Sequence, residues 1–339
     1  MPIDSLIFNA FGWPHNPEDS IVALEDGLIH KTYLVSAPTG EKSVFQWVNP
    51  KVIPTIAPLE SNFSALYGLP NAENHVVLPT LSVLNTFHVK DPVSQGSWRR
   101  FSWQSGIQSP NGTAEEAFAC AHAFGAMAVA FSGLDLCTVI PEFHSLAPRL
   151  FALKNAFASA QIDPNRVRRS QEMKDIVADL MNWAPAYLAQ EKWIAQESLV
   201  AVQHHDTKRS NVLFTKNGIR IIDLDTLQKG HWGSDFGDMV RSYAPTVSED
   251  QPGQVDLKPF VHEALWDGYC SALGNFSTPK VLEVLKKSGE RMVFLQTVRF
   301  CTDYLLGDIY YSTQYAEQNA VRTKNQWLFL HALRCSPSL

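Results

Sequence analysis

The segment 200–226, VAVQHHDTKRSNVLFTKNGIRIIDLDT, constrains this chain more than any other feature of its sequence. Its short apolar runs are typical of buried strands, yet two histidines and three aspartates lie between them. Polar groups so close to a core are costly to desolvate unless they are hydrogen-bonded, paired with an opposite charge or bound to a ligand. The segment is therefore either an unusual structural element or an active site.

A hairpin is the local structure that this segment predicts. Asn217-Gly218 is a strong signal for a tight turn, so NVLF and IRIIDLD should form paired strands joined by TKNG. Side chains alternate along a strand, which would place Asp223 and Asp225 on one face. A hairpin without chemistry is disfavoured, because its acidic groups would lie together with no cation to relieve their repulsion.

The same hairpin predicts a set of oxygen ligands. It would fold Asn211, at the start of the first strand, back toward Asp223, near the end of the second. Asp206 adds a further carboxylate just before the hairpin. Carboxylate and amide oxygens suit Mg²⁺ rather than zinc. The adjacent His204 and His205 would face opposite sides of a strand, which argues against a transition-metal pair.

The chain has two regions of different sequence pattern. Up to about residue 105 the pattern predicts strands and one short helix that its prolines stop early. The predicted strands are 31–38, 40–49, 75–84, 86–90 and 97–103, and the helix lies in 54–69. From Thr113, which forms a capping-box pattern with Glu116, amphipathic helices follow. We therefore predict an α+β fold with a small β-rich N-terminal lobe, 1–107, and a larger helical C-terminal lobe, 108–339.

Composition and charge limit the possible functions. The chain has 339 residues, of which 45% are hydrophobic and 18% charged, as in folded globular proteins. Its net charge of -6 and its scattered basic residues argue against a nucleic-acid partner. It lacks a signal-peptide pattern and an apolar run of roughly 18 to 20 residues, so we predict a cytoplasmic protein with no membrane partner. The five widely spaced cysteines argue against disulfides and zinc.

The spacing His204-x-Asp206-x-Lys208-x-x-Asn211, followed by Asp223, resembles the catalytic loop and metal-binding aspartate of the protein-kinase-like superfamily. There, an aspartate accepts the proton of the attacking hydroxyl, and an asparagine and a later aspartate hold Mg²⁺ on the phosphates of ATP. The resemblance implies a bilobal protein-kinase-like fold with Mg²⁺ and ATP as cofactors. It implies Asp206 as the base and places Lys208 near the transferred phosphoryl group. Asn211 and Asp223 would be the metal ligands, and His204 would support the loop structurally.

Several segments in order resemble the aminoglycoside phosphotransferase and choline kinase branch of that superfamily, and most closely the N-acetylhexosamine 1-kinases. These segments are EDGLIHKTYLV, FQWVNPKVI, GSWRRF, IPEFHSLAPRL, HHDTKRSNVLF, IIDLDT, SDFGDMVRS and RFCTDYLLGDIYY. The resemblance implies a nucleotide-binding role for 1–107 and catalytic and substrate-binding roles for 108–339. It implies a kinase for a sugar hydroxyl, with the anomeric hydroxyl of an N-acetylhexosamine as the preferred acceptor.

The last of these segments, RFCTDYLLGDIYY, favours a sugar as the acceptor, because it resembles the sugar kinases and is not part of the motifs that kinases share in general. By the resemblance, Arg299 is a candidate for contacting sugar hydroxyls or the acyl group. The further substrate candidates are Asp225, Asp303 and Tyr310, although core packing is an equally open role for Tyr310. From residue 242 onward, ten acidic residues are nearly balanced by nine basic ones, which fits a small neutral sugar better than a polycationic aminoglycoside.

The predicted nucleotide contacts include a departure from the family pattern. By the resemblance, these contacts are Gly27, Leu28, Thr32 and Gln46. Kinases usually carry a lysine at the strand position of Gln46, for the α- and β-phosphates. Either nucleotide affinity is reduced here or another lysine substitutes, the candidates being Lys31, Lys42 and Lys51. His30 also stands where the family usually has asparagine.

Three alternative functions stay open. Another small-molecule phosphotransferase, for an aminoglycoside, choline or an amino alcohol, would share the catalytic loop. A Ser/Thr protein kinase is disfavoured because the chain lacks the A-P-E and V-A-I-K motifs. A nucleotide-binding module without catalysis is motivated by Gln46 and the following Trp47.

Asp235-Phe236-Gly237 spells the metal-binding triplet of protein kinases. Asp223 already takes that role just after the hairpin. We therefore interpret Asp235 as a carboxylate that braces the loop, and Asp238 as a helix N-terminal residue favoured by the helix dipole.

Overall fold

The computed structural model describes residues 3–24, 30–108 and 112–336, and the chain forms two compact units. Unit 1 comprises Met1–Gln108, Leu134–Val139 and Leu213–Asp225, and unit 2 comprises Ser109–Gly133, Ile140–Val212 and Thr226–Leu339. The hairpin that we placed in the C-terminal lobe therefore belongs with the N-terminal unit. The predicted nucleotide contacts Gly27 and Leu28 lie outside the described residues.

The strands within the described residues form three sheets. They are β1 (Ser20–Leu24), β2 (Lys31–Ser36), β3 (Lys42–Val48), β4 (Val89–Lys90), β5 (Ser97–Ser102), β6 (Gly106–Gln108), β7 (Val200–Gln203), β8 (Val212–Thr215), β9 (Gly218–Ile221) and β10 (Gln228–His231). Unit 1 contains an antiparallel sheet in the order β1-β2-β3-β5-β4. A second sheet has the order β6-β8-β9, and β7 pairs with β10 in unit 2.

The helices within the described residues lie mostly in unit 2. They are α1 (Ser5–Ala10), α2 (Ala57–Tyr67), α3 (Ala114–Ala130), α4 (Leu146–Ile162), α5 (Val167–Gln196), α6 (Gly233–Tyr243), α7 (Pro259–Leu273), α8 (Pro279–Leu306) and α9 (Gln318–Cys335). The prediction of an α+β fold with a β-rich N-terminal region and a helical C-terminal region is confirmed. Among the described helices, none is both long enough and apolar enough to cross a membrane.

The large sheet of unit 1 separates an apolar face from a polar one. On the apolar face, the ring of Phe45 packs edge-on against Phe8 of α1 and against Trp13 and Phe11, with ring centroids 5.1 to 6.1 Å apart. Strand alternation turns the next residue, Gln46, to the other face, together with its register partner Arg99 on β5. The fold thus places Gln46 and Arg99 side by side, away from the aromatic core.

The predicted strand over 75–84 is wrong. Within it, Val76 and Thr80 make only isolated bridges, to Ile221 and Arg100. Pro79 lies between the two bridges and has no N–H group to donate, so a continuous ladder cannot pass through it. The predicted strand over 86–90 shortens to β4.

The hairpin prediction is confirmed, but its second strand is shorter than we expected. β8 and β9 are neighbours in one sheet, and Gly218 after the turn has a φ of 99°, which favours glycine. β9 ends at Ile221, and Asp223 has a φ of 64°, outside the extended range. Asp225 lies in a short 3-10 turn, Leu224–Thr226. The predicted strand alternation of Asp223 and Asp225 is therefore wrong.

Helix α8 forms the centre of unit 2. It is buried along most of its length and packs against α4, α6 and α9, while α3 packs against α7. α3 begins as predicted: Thr113 Oγ1 accepts a hydrogen bond from the backbone N–H of Glu116, and the Glu116 carboxylate accepts one from the backbone N–H of Gly112. β7 ends at Gln203, directly before the segment 204–211, which we call the catalytic loop because of its sequence pattern.

Candidate active site

The catalytic loop brings together three of the predicted site residues in unit 2. Asp206 Oδ2 accepts hydrogen bonds from Lys208 Nζ at 2.9 Å and from Asn211 Nδ2 at 3.0 Å. Asn211 Nδ2 also donates to the backbone carbonyl of Asp206 at 2.9 Å. The side chains of Lys208 and Asn211 thus donate to the same oxygen, Oδ2, and these two hydrogen bonds fix the orientation of the Asp206 carboxylate.

The charge state of Asp206 suits a hydrogen-bond acceptor. Burial raises the pKa of this carboxyl, but the positive charge and hydrogen bond of Lys208 lower it, and the net pKa lies below the ordinary value. Asp206 is therefore ionised at neutral pH. A carboxylate in this state can accept a hydrogen bond from a hydroxyl group and take its proton as the oxygen reacts.

Two aspartates of α6 hold the loop from behind. Asp235 accepts hydrogen bonds from the backbone N–H groups of His204 and His205, at 2.8 and 2.7 Å. Burial raises the pKa of Asp235 to about 6. Its predicted role as a loop brace is confirmed. Our prediction that Asp238 lies at the N-terminus of a helix is wrong. Asp238 lies inside α6, where its carboxylate accepts hydrogen bonds from the backbone N–H of Thr207 and from Arg241 Nε.

His204 supports the loop by its main chain and its ring. The side chain is buried, and its ring meets that of Phe124 edge-on with centroids 5.5 Å apart. Its carbonyl accepts a hydrogen bond from Thr226 Oγ1 at 2.6 Å, and its Nδ1 accepts one from the backbone N–H of Asp206 at 3.3 Å. These contacts agree with the structural role that we predicted for His204.

Unit 1 holds Thr32 and Gln46 in a polar network that the sequence did not reveal. Gln46 Nε2 donates to Thr32 Oγ1 at 2.9 Å. Gln46 Oε1 accepts two hydrogen bonds from Arg99, from Nε at 2.9 Å and from Nη2 at 2.6 Å. Arg99 is only 1% exposed. Because Arg99 reaches Gln46 through strand register, no local motif could have identified it.

Asp225 completes this network, which we call the Arg99 network: Thr32, Gln46, Arg99, Asp225 and His30. Both oxygens of Asp225 bond the guanidinium of Arg99, and Oδ2 also accepts from His30 Nε2 at 2.6 Å. Burial raises the pKa of Asp225, but Arg99 and His30 lower it well below its ordinary range. We had predicted a substrate contact for Asp225. The geometry instead commits its carboxylate to Arg99 and His30.

The three lysines that we considered as substitutes at Gln46 are all exposed. Lys31 Nζ lies 5.4 Å from the centroid of the Trp47 ring, and Lys42 Nζ lies 5.9 Å from that of Trp103. Lys51 is also on the surface. The buried cation beside Gln46 is Arg99.

The C-terminal substrate candidates have two different environments: Asp303 braces a turn, whereas Arg299 and Tyr310 lie close to each other. Asp303 is buried and accepts hydrogen bonds from the backbone N–H groups of residues 309, 310 and 311, at 2.8 to 3.0 Å. Its carboxylate therefore shapes the turn after α8, and the geometry does not favour the substrate contact that we predicted for it. Tyr310 in that turn is 69% exposed, so the alternative of core packing is wrong for this side chain.

Arg299 lies among aromatic rings in unit 2. Its guanidinium carbon is 5.4 Å from the ring centroid of Phe143, 5.5 Å from that of Tyr311 and 6.0 Å from that of Tyr310. Arg299 Nη1 donates to Gln296 Oε1 at 3.1 Å. The predicted pair Arg299 and Tyr310 is thus brought together.

The predicted metal ligands offer only oxygen atoms. Asn211 uses its Nδ2 to bond Asp206, which leaves Oδ1 as the atom that could bind a cation. Asp223 lies in unit 1, just after β9. Within the described ranges, no group of three or more His, Cys, Asp or Glu side chains could hold a metal ion by itself. The oxygen atoms that each of these residues offers suit Mg²⁺, which usually takes one or two carboxylates and completes its shell with water and phosphate oxygens.

Comparison with known structures supports the fold. The chain is similar to an aminoglycoside phosphotransferase from Alicyclobacillus acidocaldarius, with 14% identity, a TM-score of 0.61 and coverage of 98% of this chain and 96% of that one. A spectinomycin phosphotransferase solved with ADP and spectinomycin has 11% identity, a TM-score of 0.64 and coverage of 98% and 99%. A microcompartment-associated aminopropanol kinase has 16% identity, a TM-score of 0.64 and coverage of 98% and 97%.

The sequence also matches a family model directly. The model of the phosphotransferase enzyme family matches residues 21–275, which is more than half of the 339 residues. The match includes the whole catalytic loop, β9 and the strands that carry Gln46 and Arg99. The chain belongs to the phosphotransferase enzyme family.

Proposed function

We propose that this protein is an ATP- and Mg²⁺-dependent kinase that phosphorylates a hydroxyl group of a small sugar, the anomeric hydroxyl of an N-acetylhexosamine. The observation that carries the proposal is the preformed arrangement of Asp206, Lys208 and Asn211 in the catalytic loop. An ionised carboxylate, a cation beside it and an oxygen ligand for a metal are the groups that phosphoryl transfer to a hydroxyl requires.

The proposed reaction assigns a task to each loop residue. Asp206 accepts a hydrogen bond from the sugar hydroxyl and takes its proton as the hydroxyl oxygen bonds to the γ-phosphorus. The bond from that phosphorus to the β,γ-bridging oxygen breaks, and ADP leaves with the electron pair. Lys208 stabilises the negative charge on the phosphoryl oxygens. Mg²⁺, when bound, would neutralise charge on the nucleotide phosphates, with Asn211 and Asp223 as its proposed protein ligands.

The sugar assignment rests on Arg299 and Tyr310 of unit 2. The guanidinium of Arg299 and the exposed ring of Tyr310 combine hydrogen-bond donors with aromatic surface. Sugars present hydroxyl groups at their edges and C–H groups on their faces, so such a cluster can satisfy both. The near balance of acidic and basic residues from 242 onward also fits a neutral acceptor. The resemblance to N-acetylhexosamine 1-kinases supports the same choice.

A second candidate acceptor class is supported by the solved relatives. Their names specify spectinomycin, aminoglycoside and aminopropanol as acceptors in those proteins. A phosphotransferase for an amino alcohol or an aminoglycoside would use the same catalytic loop. It would be expected to recognise its cationic acceptor with carboxylates, whereas the substrate candidate Asp303 is committed to backbone N–H groups.

A coupled assay of ADP release tests the proposal. The acceptors are N-acetylglucosamine, N-acetylgalactosamine, glucose, galactose, choline and kanamycin, each with Mg²⁺-ATP. We expect turnover with the N-acetylhexosamines above the rate without acceptor. Asp206→Asn should abolish that turnover, while Asp267→Asn, at an exposed position of α7, should not change it. Turnover with only choline or kanamycin would contradict the sugar assignment. Acceptor-independent binding of ATP without ADP release would favour the non-catalytic alternative.

A further inference from the structure

The Arg99 network contains a fixed positive charge beside Gln46, the position at which this chain lacks the lysine of the kinase pattern. β3 carries Gln46 where kinases usually carry a lysine, but the register of β3 and β5 pairs Gln46 directly with Arg99. The two hydrogen bonds from Arg99 to Gln46 Oε1 fix the plane of the guanidinium. In this chain the cation therefore lies on β5, the strand next to β3.

The acidic partner of this cation also differs from the one in protein kinases. In protein kinases the strand lysine pairs with a glutamate of the helix that follows. Here α2 follows β3 and carries Glu60, whose carboxylate accepts hydrogen bonds from His88 Nδ1 at 2.7 Å and from the backbone N–H groups of Phe87 and His88. Glu60 is thus engaged elsewhere. Asp225, two residues after the proposed metal ligand Asp223, pairs with Arg99 instead.

We propose that Arg99 is the positioning cation of the nucleotide site, supplying from β5 the positive charge that a β3 lysine supplies in other kinases. The inference rests on the proposed function, because it concerns binding of Mg²⁺-ATP. Arg99 acts through its partners. It holds Asp225, which lies two residues after Asp223 in the sequence, and through Asp225 it fixes His30, two residues after the predicted nucleotide contact Leu28.

Both ring nitrogens of His30 make hydrogen bonds, which fixes the ring next to Asp225. The backbone N–H of Asn49 donates to His30 Nδ1 at 3.1 Å, so the ring hydrogen lies on Nε2 and is donated to Asp225. Arg99, Asp225 and His30 are all buried. A buried ion pair adds little stability compared with apolar residues of similar size, so stability alone does not explain why a charged network occupies this face.

Binding of two ligands separates a charge effect from a structural one. We would measure Mg²⁺-ATP and adenosine by isothermal titration calorimetry on the wild type and on Arg99→Gln/Asp225→Asn. This double variant removes both charges and leaves no unpaired buried ion. We expect it to bind Mg²⁺-ATP about tenfold or more weakly, because Asp225 and His30 lose the interactions that position them, and to bind adenosine within about twofold of the wild type.

Arg100→Gln is the matched control. Arg100 is the next residue of β5, but it lies on the opposite face, where it bonds Ser43 and the carbonyl of Phe11. Its loss should leave the affinity for Mg²⁺-ATP unchanged. Equal affinity of the wild type and Arg99→Gln/Asp225→Asn for Mg²⁺-ATP would overturn the inference, because Arg99 would then only balance Asp225.

A second variant keeps the test decisive if the first does not fold. Gln46→Lys/Arg99→Gln returns the cation to β3 and keeps Asp225 ionised. It should bind Mg²⁺-ATP at least about fivefold more tightly than Arg99→Gln alone, because a cation is again present on this face of the sheet to pair with Asp225. No gain over Arg99→Gln would contradict the inference. A wild type that binds no Mg²⁺-ATP at all would instead contradict the proposed function, so the two failures can be told apart.

Discussion

The catalytic loop of unit 2 and the Arg99 network of unit 1 are both built from charged side chains, but their partners come from different distances along the chain. In the loop, Asp206 bonds Lys208 two residues later and Asn211 five residues later. In the network, Asp225 bonds Arg99, 126 residues away, and His30, 195 residues away. The loop can therefore be recognised as a short sequence motif, whereas the residues of the network come together only when the sheet has formed.

The two regions also differ in what they are expected to do. The proposed function assigns the loop to the group that is transferred, so its variants should change turnover. The Arg99 network carries the predicted nucleotide contacts Thr32 and Gln46, so its variants should change nucleotide affinity. Variants in each region test this division between turnover and nucleotide affinity.

Asp206→Ala should have the largest effect. Removing the proposed base should lower kcat by roughly two to four orders of magnitude, while the Kd for Mg²⁺-ATP stays within a few-fold of the wild type. Single-turnover kinetics and calorimetry measure the two quantities separately. Loss of nucleotide binding in this variant would break the division between the two regions, and near wild-type turnover would remove Asp206 from catalysis.

Lys208→Met should lower kcat by about 10- to 100-fold, because one cation that stabilises the transferred phosphoryl group is lost. It should also change the pH profile. Lys208 helps to hold the pKa of Asp206 below its ordinary value, so removing it raises that pKa. Turnover needs ionised Asp206 and is lost as pH falls through this pKa, so the acidic limb should move to higher pH. An unchanged limb would show that Lys208 does not act on Asp206.

Arg299→Met should raise the KM for the sugar about tenfold, because a hydrogen bond from a charged donor is lost, and it should change the KM for ATP little. Methionine keeps an unbranched apolar side chain at this position but loses the guanidinium that lies over the rings of Phe143 and Tyr311. Steady-state kinetics with each substrate varied in turn measures both constants. A larger change in the KM for ATP than for the sugar would assign Arg299 to the nucleotide.

Gln46→Leu should have the smallest effect, an increase of about threefold to tenfold in the Kd for Mg²⁺-ATP with kcat nearly unchanged. Arg99 would lose two hydrogen bonds from its fixed geometry but keep its pairing with Asp225. Calorimetry and kcat measured on the same preparation test this expectation. A fall in kcat as large as that of Lys208→Met would place Gln46 with the catalytic loop.

The sequence predicted those parts of the molecule whose causes are local. The hairpin turn at Gly218, the helix start at Thr113 and the catalytic loop each depend on a few neighbouring residues, and each was found. Asp235 was correctly interpreted as a brace because its place in the kinase pattern was already filled by Asp223.

The errors arose where distant contacts or single backbone angles decide the structure. Alternation was extended past Ile221, but the left-handed φ of Asp223 ends the strand there. Asp238 was assigned to a helix terminus because the start of α6 at Gly233 was not recognised. Arg99 was missed because its partner Gln46 is set by strand register. Three exposed lysines near Gln46 in sequence were considered instead.

Phosphorus-31 NMR of one reaction mixture shows whether this protein transfers the γ-phosphoryl group of ATP to the anomeric hydroxyl of a sugar. Wild-type protein is incubated with Mg²⁺-ATP and N-acetylglucosamine, and the spectra are followed over time. We predict a sugar 1-phosphate signal that grows at the same rate as that of ADP, and no such signal with Asp206→Asn. Formation of ADP and inorganic phosphate without any sugar phosphate, or a sugar 1-phosphate at the same rate with Asp206→Asn, would contradict it.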